Sequence, residues 1–259
     1  MKKYFLIILT IIIVSSCKNS TKTIKLNDNL FAKGKNISDS IFNGEVKYYD
    51  SMDRLLYKTN FINNKLDGSS ILYNSKGTVI DSIFYVNGFA NGFHYQFDDE
   101  GNLTYLDYSY FGLGVGPKVY YMNKQLKNFT FSNFDNQVLF AAEYDDKGIN
   151  EHSGYPLNFN YYSANLDGGK KIGLKLYLIE PPLVYIKYHL GIINLRDNSK
   201  KEISILNRNK VFIDTLIPSL DKDHEYYLQA DYIDSISRND KEYYFQKIKD
   251  SLPTHLTGF

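Results

Sequence analysis

Glycine, aromatic and aliphatic positions recur with a period of 24 residues along the first half of the chain. A period of this length that holds two short apolar stretches predicts a stack of β-hairpins, in which each unit buries its apolar face against its neighbours. The repeated glycines, the aromatics five residues after them and the aliphatics eleven residues after the first three are Gly44, Gly68, Gly92 and Gly116; Tyr49, Tyr73, Phe97 and Tyr121; and Leu55, Val79 and Leu103.

Residues typical of tight turns separate these apolar stretches. One kind of turn covers residues 50–53, 74–77 and 98–101, which begin with Asp or Asn and in two units end with glycine. A second kind lies within residues 61–68 and 85–92. Glycine adopts positive φ without strain, and Asn and Asp tolerate it, so both kinds predict hairpins. A partial further copy ends the array, which we expect to cover residues 37–150.

This pattern of glycine, aromatic pair, turn and aliphatic residue resembles the bacterial variant of the MORN repeat. The chain departs from that pattern at Gln96, Gln125 and Phe140. The resemblance implies a hairpin array, and some proteins with this repeat are labelled antitoxins. It implies no catalytic residue, because the repeat itself carries none.

After residue 150 the period is lost, and seven apolar stretches of six to ten residues follow at regular spacing. This number predicts an immunoglobulin-like β-sandwich over residues 151–250, with a tail at 251–259. Leu220 and the alternation that begins at Tyr226 resemble the tyrosine corner of fibronectin type III domains, in which the phenol bonds back to the upstream backbone. The seven predicted strands are Tyr155–Ala164, Ile172–Glu180, Val184–Ile193, Lys201–Leu206, Val211–Ile217, Tyr226–Ile233 and Glu242–Ile248.

The N-terminus has the pattern of a cleavable export signal over residues 1–16. Lys2 and Lys3 precede an apolar run of about eleven residues, which is too short to span a bilayer. The run ends in Val14, Ser15, Ser16 and Cys17, which resembles the lipobox of bacterial lipoproteins. The resemblance implies that Cys17 carries the lipid and that the protein is anchored in the cell envelope, at the periplasmic face or the outer membrane. Residues 17–36 are polar, and we expect them to be a mostly flexible tether.

Composition narrows the classes of function. The chain has 24 Tyr and 17 Phe but no Trp, which favours strands and an all-β fold. Cys17 is the only cysteine, so no disulfide can form within the chain. A net charge of +1 gives no general attraction to nucleic acid. The sequence therefore predicts a membrane-anchored protein with no nucleic-acid partner.

Candidate chemistry is sparse. The five histidines are isolated in the sequence, with no i,i+4 pair that would suggest a metal site, and we expect neither metal nor cofactor. The acidic clusters at 98–100 and 145–146 coincide with predicted turns, and no nucleophile elbow or catalytic carboxylate pair is recognisable. The histidines are His94, His152, His189, His224 and His255.

The repeated aromatics remain as candidates for binding. We expect those at the fifth position to form the core of a thin sheet. Tyr48 and Tyr120 stand one position earlier, hence on the opposite face, and are the predicted binding residues. The leading prediction is a non-enzymatic, lipid-anchored envelope protein that binds an unknown protein or glycan. An immunity or antitoxin-like protein and an envelope enzyme of unrecognised type are the alternatives.

Overall fold

The computed structural model describes residues 21–38, 41–166, 169–205, 211–218, 220–234 and 241–248. Every regular element in these ranges is a β-strand, and all pairings between the strands are antiparallel, which confirms the predicted all-β class. Within the same ranges there is no helix with the length and apolar character needed to cross a bilayer. Cys17 and the predicted signal lie outside the described residues.

Residues 22–154 form one sheet of thirteen strands in which sequence neighbours are also spatial neighbours, as stacked hairpins require. Only the two-residue β5 lies off this path and pairs with β4. The strands are β1 Lys22–Asn27, β2 Leu30–Ser38, β3 Ile41–Asp50, β4 Leu55–Ile62, β5 Lys65–Leu66, β6 Gly68–Tyr73, β7 Val79–Val86, β8 Phe89–Phe97, β9 Leu103–Tyr110, β10 Leu113–Met122, β11 Gln125–Ser132, β12 Val138–Asp145 and β13 Gly148–Gly154.

The array is longer than predicted at both ends. The prediction of a flexible tether over residues 17–36 is wrong for β1 and β2, which extend the sheet beside β3. Ala32 and Ile37 of this segment are buried together with Val46, so a few small and medium apolar residues suffice to order it. At the other end β13 pairs with β12 and continues the sheet to Gly154.

The predicted turns are confirmed, and the backbone explains their residues. The two-residue turns Asn63–Asn64, Asn87–Gly88 and Asn123–Lys124 have positive φ at both positions. This is the backbone of the hairpin turn whose twist matches that of the flanking strands, and Asn and Gly are the residues that adopt it most readily. The repeat therefore alternates a two-residue turn with a longer one.

The described residues after 156 form the predicted sandwich, and all seven expected strands occur with shifts of a few residues at their ends. A three-stranded sheet has the order β14-β15-β18, and a four-stranded sheet has the order β17-β16-β19-β20. The strands are β14 Leu157–Leu166, β15 Gly169–Leu178, β16 Val184–Asn194, β17 Lys200–Ile205, β18 Phe212–Pro218, β19 His224–Asp234 and β20 Lys241–Ile248.

The two sheets of the sandwich enclose a core to which both contribute alternate residues. Leu176 and Leu228 are among its most buried members. Tyr226 is 3% exposed and Leu220 packs against the same core, as the corner pattern requires, while the bond of the Tyr226 phenol stays a prediction. The hydroxyl of Tyr188, also buried, donates to the carbonyl of Ile179 at 2.7 Å.

Candidate functional site

One face of the array carries a continuous row of side chains that crosses eleven strands, one residue from each. Residues paired across an antiparallel ladder point to the same face, so the register alone defines the row. Tyrosine is its commonest member, and we call it the tyrosine row. Its members, in strand order from β2 to β13, are Ala32, Tyr48, Tyr57, Leu72, Asp81, Gln96, Tyr105, Tyr120, Asn128, Glu143 and Glu151.

The two predicted binding residues both lie in this row. Tyr120 is 45% exposed, and its ring centroid is 4.8 Å from that of Tyr105. Tyr48 is half-buried, because it packs against the core around Val46, and its ring centroid is 5.5 Å from that of Tyr57. The structure thus places Tyr48 and Tyr120 on one face, six strand intervals apart, and of the two only Tyr120 is exposed.

A second row lies beside the first on the same face. Its members stand two residues from those of the tyrosine row, before them on one strand and after them on the next, and we call it the polar row. Thr59 and Ser70 are buried at its N-terminal end and share a hydrogen bond between their hydroxyls. Hydroxyl, imidazole, carboxylate and ammonium groups follow one another along it. Its members from β3 to β11 are Val46, Thr59, Ser70, Ile83, His94, Asp107, Lys118 and Thr130.

His94 joins the two rows. Its Nε2 lies 2.8 Å from Oδ2 of Asp81 in the tyrosine row, and its Nδ1 lies 3.1 Å from Oδ1 of Asp107 in the polar row. The carboxylates approach opposite nitrogens of the ring, so the three groups do not converge on one point where an ion could sit. Among the described residues, no three His, Cys, Asp or Glu side chains are grouped to hold a metal ion.

The carboxylate partners of the histidines come from other strands and were not foreseen. His189 repeats the arrangement in the sandwich, with Nδ1 2.7 Å from Oε2 of Glu202 and Nε2 3.2 Å from Oδ2 of Asp231. A regularity in the sequence could have indicated one partner of His94: Asp107 stands thirteen residues after it and lies directly across the β8–β9 hairpin. Asp81, thirteen residues before it, lies diagonally, because its cross-strand partner is Gln96. His255 lies outside the described residues.

Three phenols of this face, those of Tyr48, Tyr85 and Tyr105, stay protonated at neutral pH. Burial raises the pKa of Tyr48, and the neighbouring Tyr57 adds to the shift. The pKa of Tyr105 is raised strongly, first by burial and then by the negative charge of Asp107. Burial also raises the pKa of Tyr85, a further member of this face on β7. Each of these hydroxyls can therefore both donate and accept a hydrogen bond.

The aromatics at the fifth position of each repeat point to the other face, as predicted. All four are half-buried rather than fully buried. Tyr121 packs against the core that joins array and sandwich, whereas Tyr49 lies beneath the ammonium of Lys33, 4.3 Å from its ring centroid. The fifth-position aromatics thus become core residues only where another layer covers them.

A cleft of about 810 Å³ lies between this other face and the sandwich. Apolar side chains from both halves line it, among them Tyr108 and Phe129 from the array and Phe212 from the sandwich, with Glu180 and Asp214 as its carboxylates. The cleft borders the shared core of strands β10 to β12 with Tyr177 and Ile179. Its volume is that of a small-ligand site, but its lining is largely the set of side chains that joins the two halves.

Comparison with known proteins adds no family to this description, since no family model and no curated protein matches the chain.

Proposed function

We propose that this chain is a non-enzymatic, lipid-anchored protein of the cell envelope whose tyrosine row binds another macromolecule. The observation that carries the proposal is the row itself. From Tyr48 to Tyr120 it crosses six strand intervals of ~4.8 Å, roughly 29 Å, which suits an extended polymer better than a small molecule. Tyrosine offers apolar ring area and a hydroxyl at little cost in side-chain entropy, which is why it is enriched in binding surfaces.

The anchor and the repeat class belong to the same proposal. The lipobox-like sequence before Cys17 supports lipid attachment just ahead of β1, and the 24-residue spacing supports a MORN-like array. Attachment at Cys17 would leave only four residues between the lipid and Lys22. The array would then begin close to the membrane and carry its binding face along its length.

Capture from the native envelope tests the binding function. Detergent-solubilised envelope is passed over the immobilised protein and over the Tyr120→Ala variant. Tyr185→Ala is the matched control, because Tyr185 of the sandwich is 47% exposed, close to the 45% of Tyr120. We expect the wild type and Tyr185→Ala to retain a macromolecule that Tyr120→Ala loses. Identical retention by all three proteins contradicts the proposal.

Metabolic labelling with a fatty acid tests the anchor. Cys17→Ser removes the thiol that would receive the lipid, so we expect it to abolish the acyl label and to leave uncleaved or soluble protein. A variant that still carries label and still partitions into detergent would show that the anchor lies elsewhere.

A further inference from the structure

From the chemistry of the two rows we infer that the macromolecule is an extended, neutral polysaccharide lying across the strands of the array. This inference rests on the proposed binding function and names the class of ligand.

The spacing of the tyrosine row matches the spacing of sugars in an extended chain. Successive members of the tyrosine row are separated by the distance between neighbouring strands, ~4.8 Å, which is about the length of one pyranose ring in an extended chain. A polysaccharide that runs along the row therefore meets a new side chain with each sugar. The exposed ring of Tyr120 and the 39% exposed side chain of Leu72 offer apolar contact to the C–H faces of the sugars.

The two rows also supply hydrogen-bonding groups of the kind that sugars use. Gln96 lies between aromatic members of the tyrosine row and Asn128 follows Tyr120; both are exposed, and each amide can donate and accept. The protonated phenols and the hydroxyl of Thr130 in the polar row act in the same way. Groups that both donate and accept are suited to sugar hydroxyls, which do the same.

The charge of the two rows favours a neutral chain. The two rows hold four carboxylates, Asp81, Asp107, Glu143 and Glu151, against the single ammonium of Lys118. An anionic polymer placed along this face would meet like charge, which opposes binding. The balance favours neutral glycans over uronic-acid chains and over phosphate-bearing polymers.

The pairing of the strands distinguishes a glycan from a polypeptide as the ligand of this face. A polypeptide bound in extended form commonly adds a strand to an open sheet edge. Strands β3, β4 and β6–β12, which carry the central members of both rows, have a neighbour on each side, and the edges of this sheet are β1 and β13. The face thus offers side chains and not backbone partners, and that is the kind of contact a sugar chain uses.

Calorimetric titration of the purified full-length protein with defined oligosaccharides tests the inference. The probes are cellohexaose and chitohexaose, which are neutral, and hexagalacturonate, which is anionic and similar in length. We expect at least one neutral probe to bind and hexagalacturonate not to bind. Tyr120→Ala should lower the affinity for the neutral probe at least about tenfold. Tyr120→Phe, which keeps the ring, and the control Tyr185→Ala should change this affinity less than about threefold.

Three results overturn the inference, and they bear differently on the proposed function. Preference for hexagalacturonate refutes the assignment of a neutral chain, while binding along the row stands. Loss of an envelope protein by Tyr120→Ala, with no oligosaccharide bound, makes the ligand a polypeptide and likewise leaves the binding function standing. If Tyr120→Ala keeps its circular dichroism spectrum and alters neither the titrations nor the envelope capture, the inference and the proposed function fail together.

Discussion

A single side chain closes the longer turn in three successive repeats. Oδ1 of Asp50 accepts the backbone N–H groups of Met52 and Arg54, each at 2.9 Å. Asn74 and Asp98, 24 and 48 residues later, accept the same two N–H groups two and four residues ahead. An amide oxygen and a carboxylate oxygen serve equally as acceptors here, so only the carboxylates make the turn sensitive to acid.

The first prediction concerns that difference. The side chain of Asn102, and next its backbone N–H, donate hydrogen bonds that hold the pKa of Asp98 below its ordinary value of 3.8. The pKa of Asp50 is lowered as well, most of all by the hydrogen bond from the backbone N–H of Arg54. A carboxylate with a lowered folded pKa adds stability above its ordinary pKa and loses it as the pH falls through the folded pKa. Acid should therefore weaken these turns in the native protein.

The Asp50→Asn, Asp98→Asn double variant keeps the acceptor oxygen and removes the titration. Between about pH 7 and about pH 3 we expect its urea midpoint to fall less than that of the wild type. Asn74→Asp is the reverse control, and its urea midpoint should fall more than that of the wild type. If the urea midpoint falls by the same amount in all three proteins, the turn carboxylates do not contribute to the acid sensitivity.

The second prediction compares two repeat glycines that have the same backbone and different surroundings. Gly44 and Gly116 have φ of +84° and +86°. A Cβ at Gly44 would meet nothing within 4 Å, whereas one at Gly116 would lie 2.2 Å from Cγ1 of Val211, where the sandwich meets the array. Gly44→Ala should cost about 1–2 kcal/mol from left-handed strain alone, and Gly116→Ala should cost about 1–3 kcal/mol more from overpacking.

Urea unfolding of the two alanine variants measures this difference. An equal decrease in the free energy of unfolding would mean that Val211 moves aside at no cost and that the contact between the halves is loose at this point. The repeat pattern predicts the positive φ at both glycines. It cannot predict the contact with Val211, because that residue is 95 positions away in the sequence and belongs to no repeat.

At the scale of elements, strands that repeat or alternate could be predicted and irregular ones could not. The spacing of the repeat located β3 to β10, and the regular apolar stretches located all seven strands of the sandwich. Strand β2 was missed because it precedes the first repeat glycine, although Ala32 and Ile37 on it are buried. Strand β1 was missed because Lys22–Asn27 has little apolar character and is ordered by pairing with β2. Pairing energy of this kind leaves no hydrophobic pattern in the sequence.

The third prediction uses the register. Deleting the 24 residues Gly68 to Asn91 joins β4 to β8 and places Gln96 where Leu72 paired with Tyr57. His94 would take the position of Ser70 beside Thr59, so every remaining side chain keeps its face. We expect a shorter array that still folds, because repeat stability is approximately a sum of unit and neighbour terms.

Deletions of 23 or 25 residues at the same place shift the register by one and turn each side chain to the opposite face. We expect both to unfold the array, as seen by circular dichroism and limited proteolysis. Equal tolerance of the three deletions, or equal loss of structure in all three, would show that the 24-residue period does not set the register.

At the scale of the whole molecule, array and sandwich share a core that neither pattern predicted. The C-terminal end of β15 is apolar on both sides: Leu174 and Leu176 face the sandwich core, while Tyr177 and the following Ile179 face the array. The sequence does contain a signal, since the unbroken apolar run Leu176–Ile179 is typical of a strand covered on both faces. That signal indicates a second covering layer without saying which part of the chain supplies it.

The last prediction separates the two sides of this strand with two neighbouring substitutions. Leu176 is 1% exposed and Tyr177 is 2% exposed, so both alanine variants leave a cavity and should each cost about 2–5 kcal/mol. Leu176→Ala weakens the sandwich itself. Tyr177→Ala removes a ring whose centroid lies 6.3 Å from that of Phe131, and so it weakens the contact between the halves.

Limited proteolysis followed by mass spectrometry distinguishes these outcomes. The segment between β13 and β14 contains Tyr155, which is 66% exposed, so a protease can reach it once the halves move apart. We expect Tyr177→Ala to be cut there first and to release two stable fragments, because each half keeps its own sheet pairing. Leu176→Ala should instead be cut within the sandwich while the array stays intact. The same fragments from both variants would show that the core around Tyr177 and the core of the sandwich unfold as one unit.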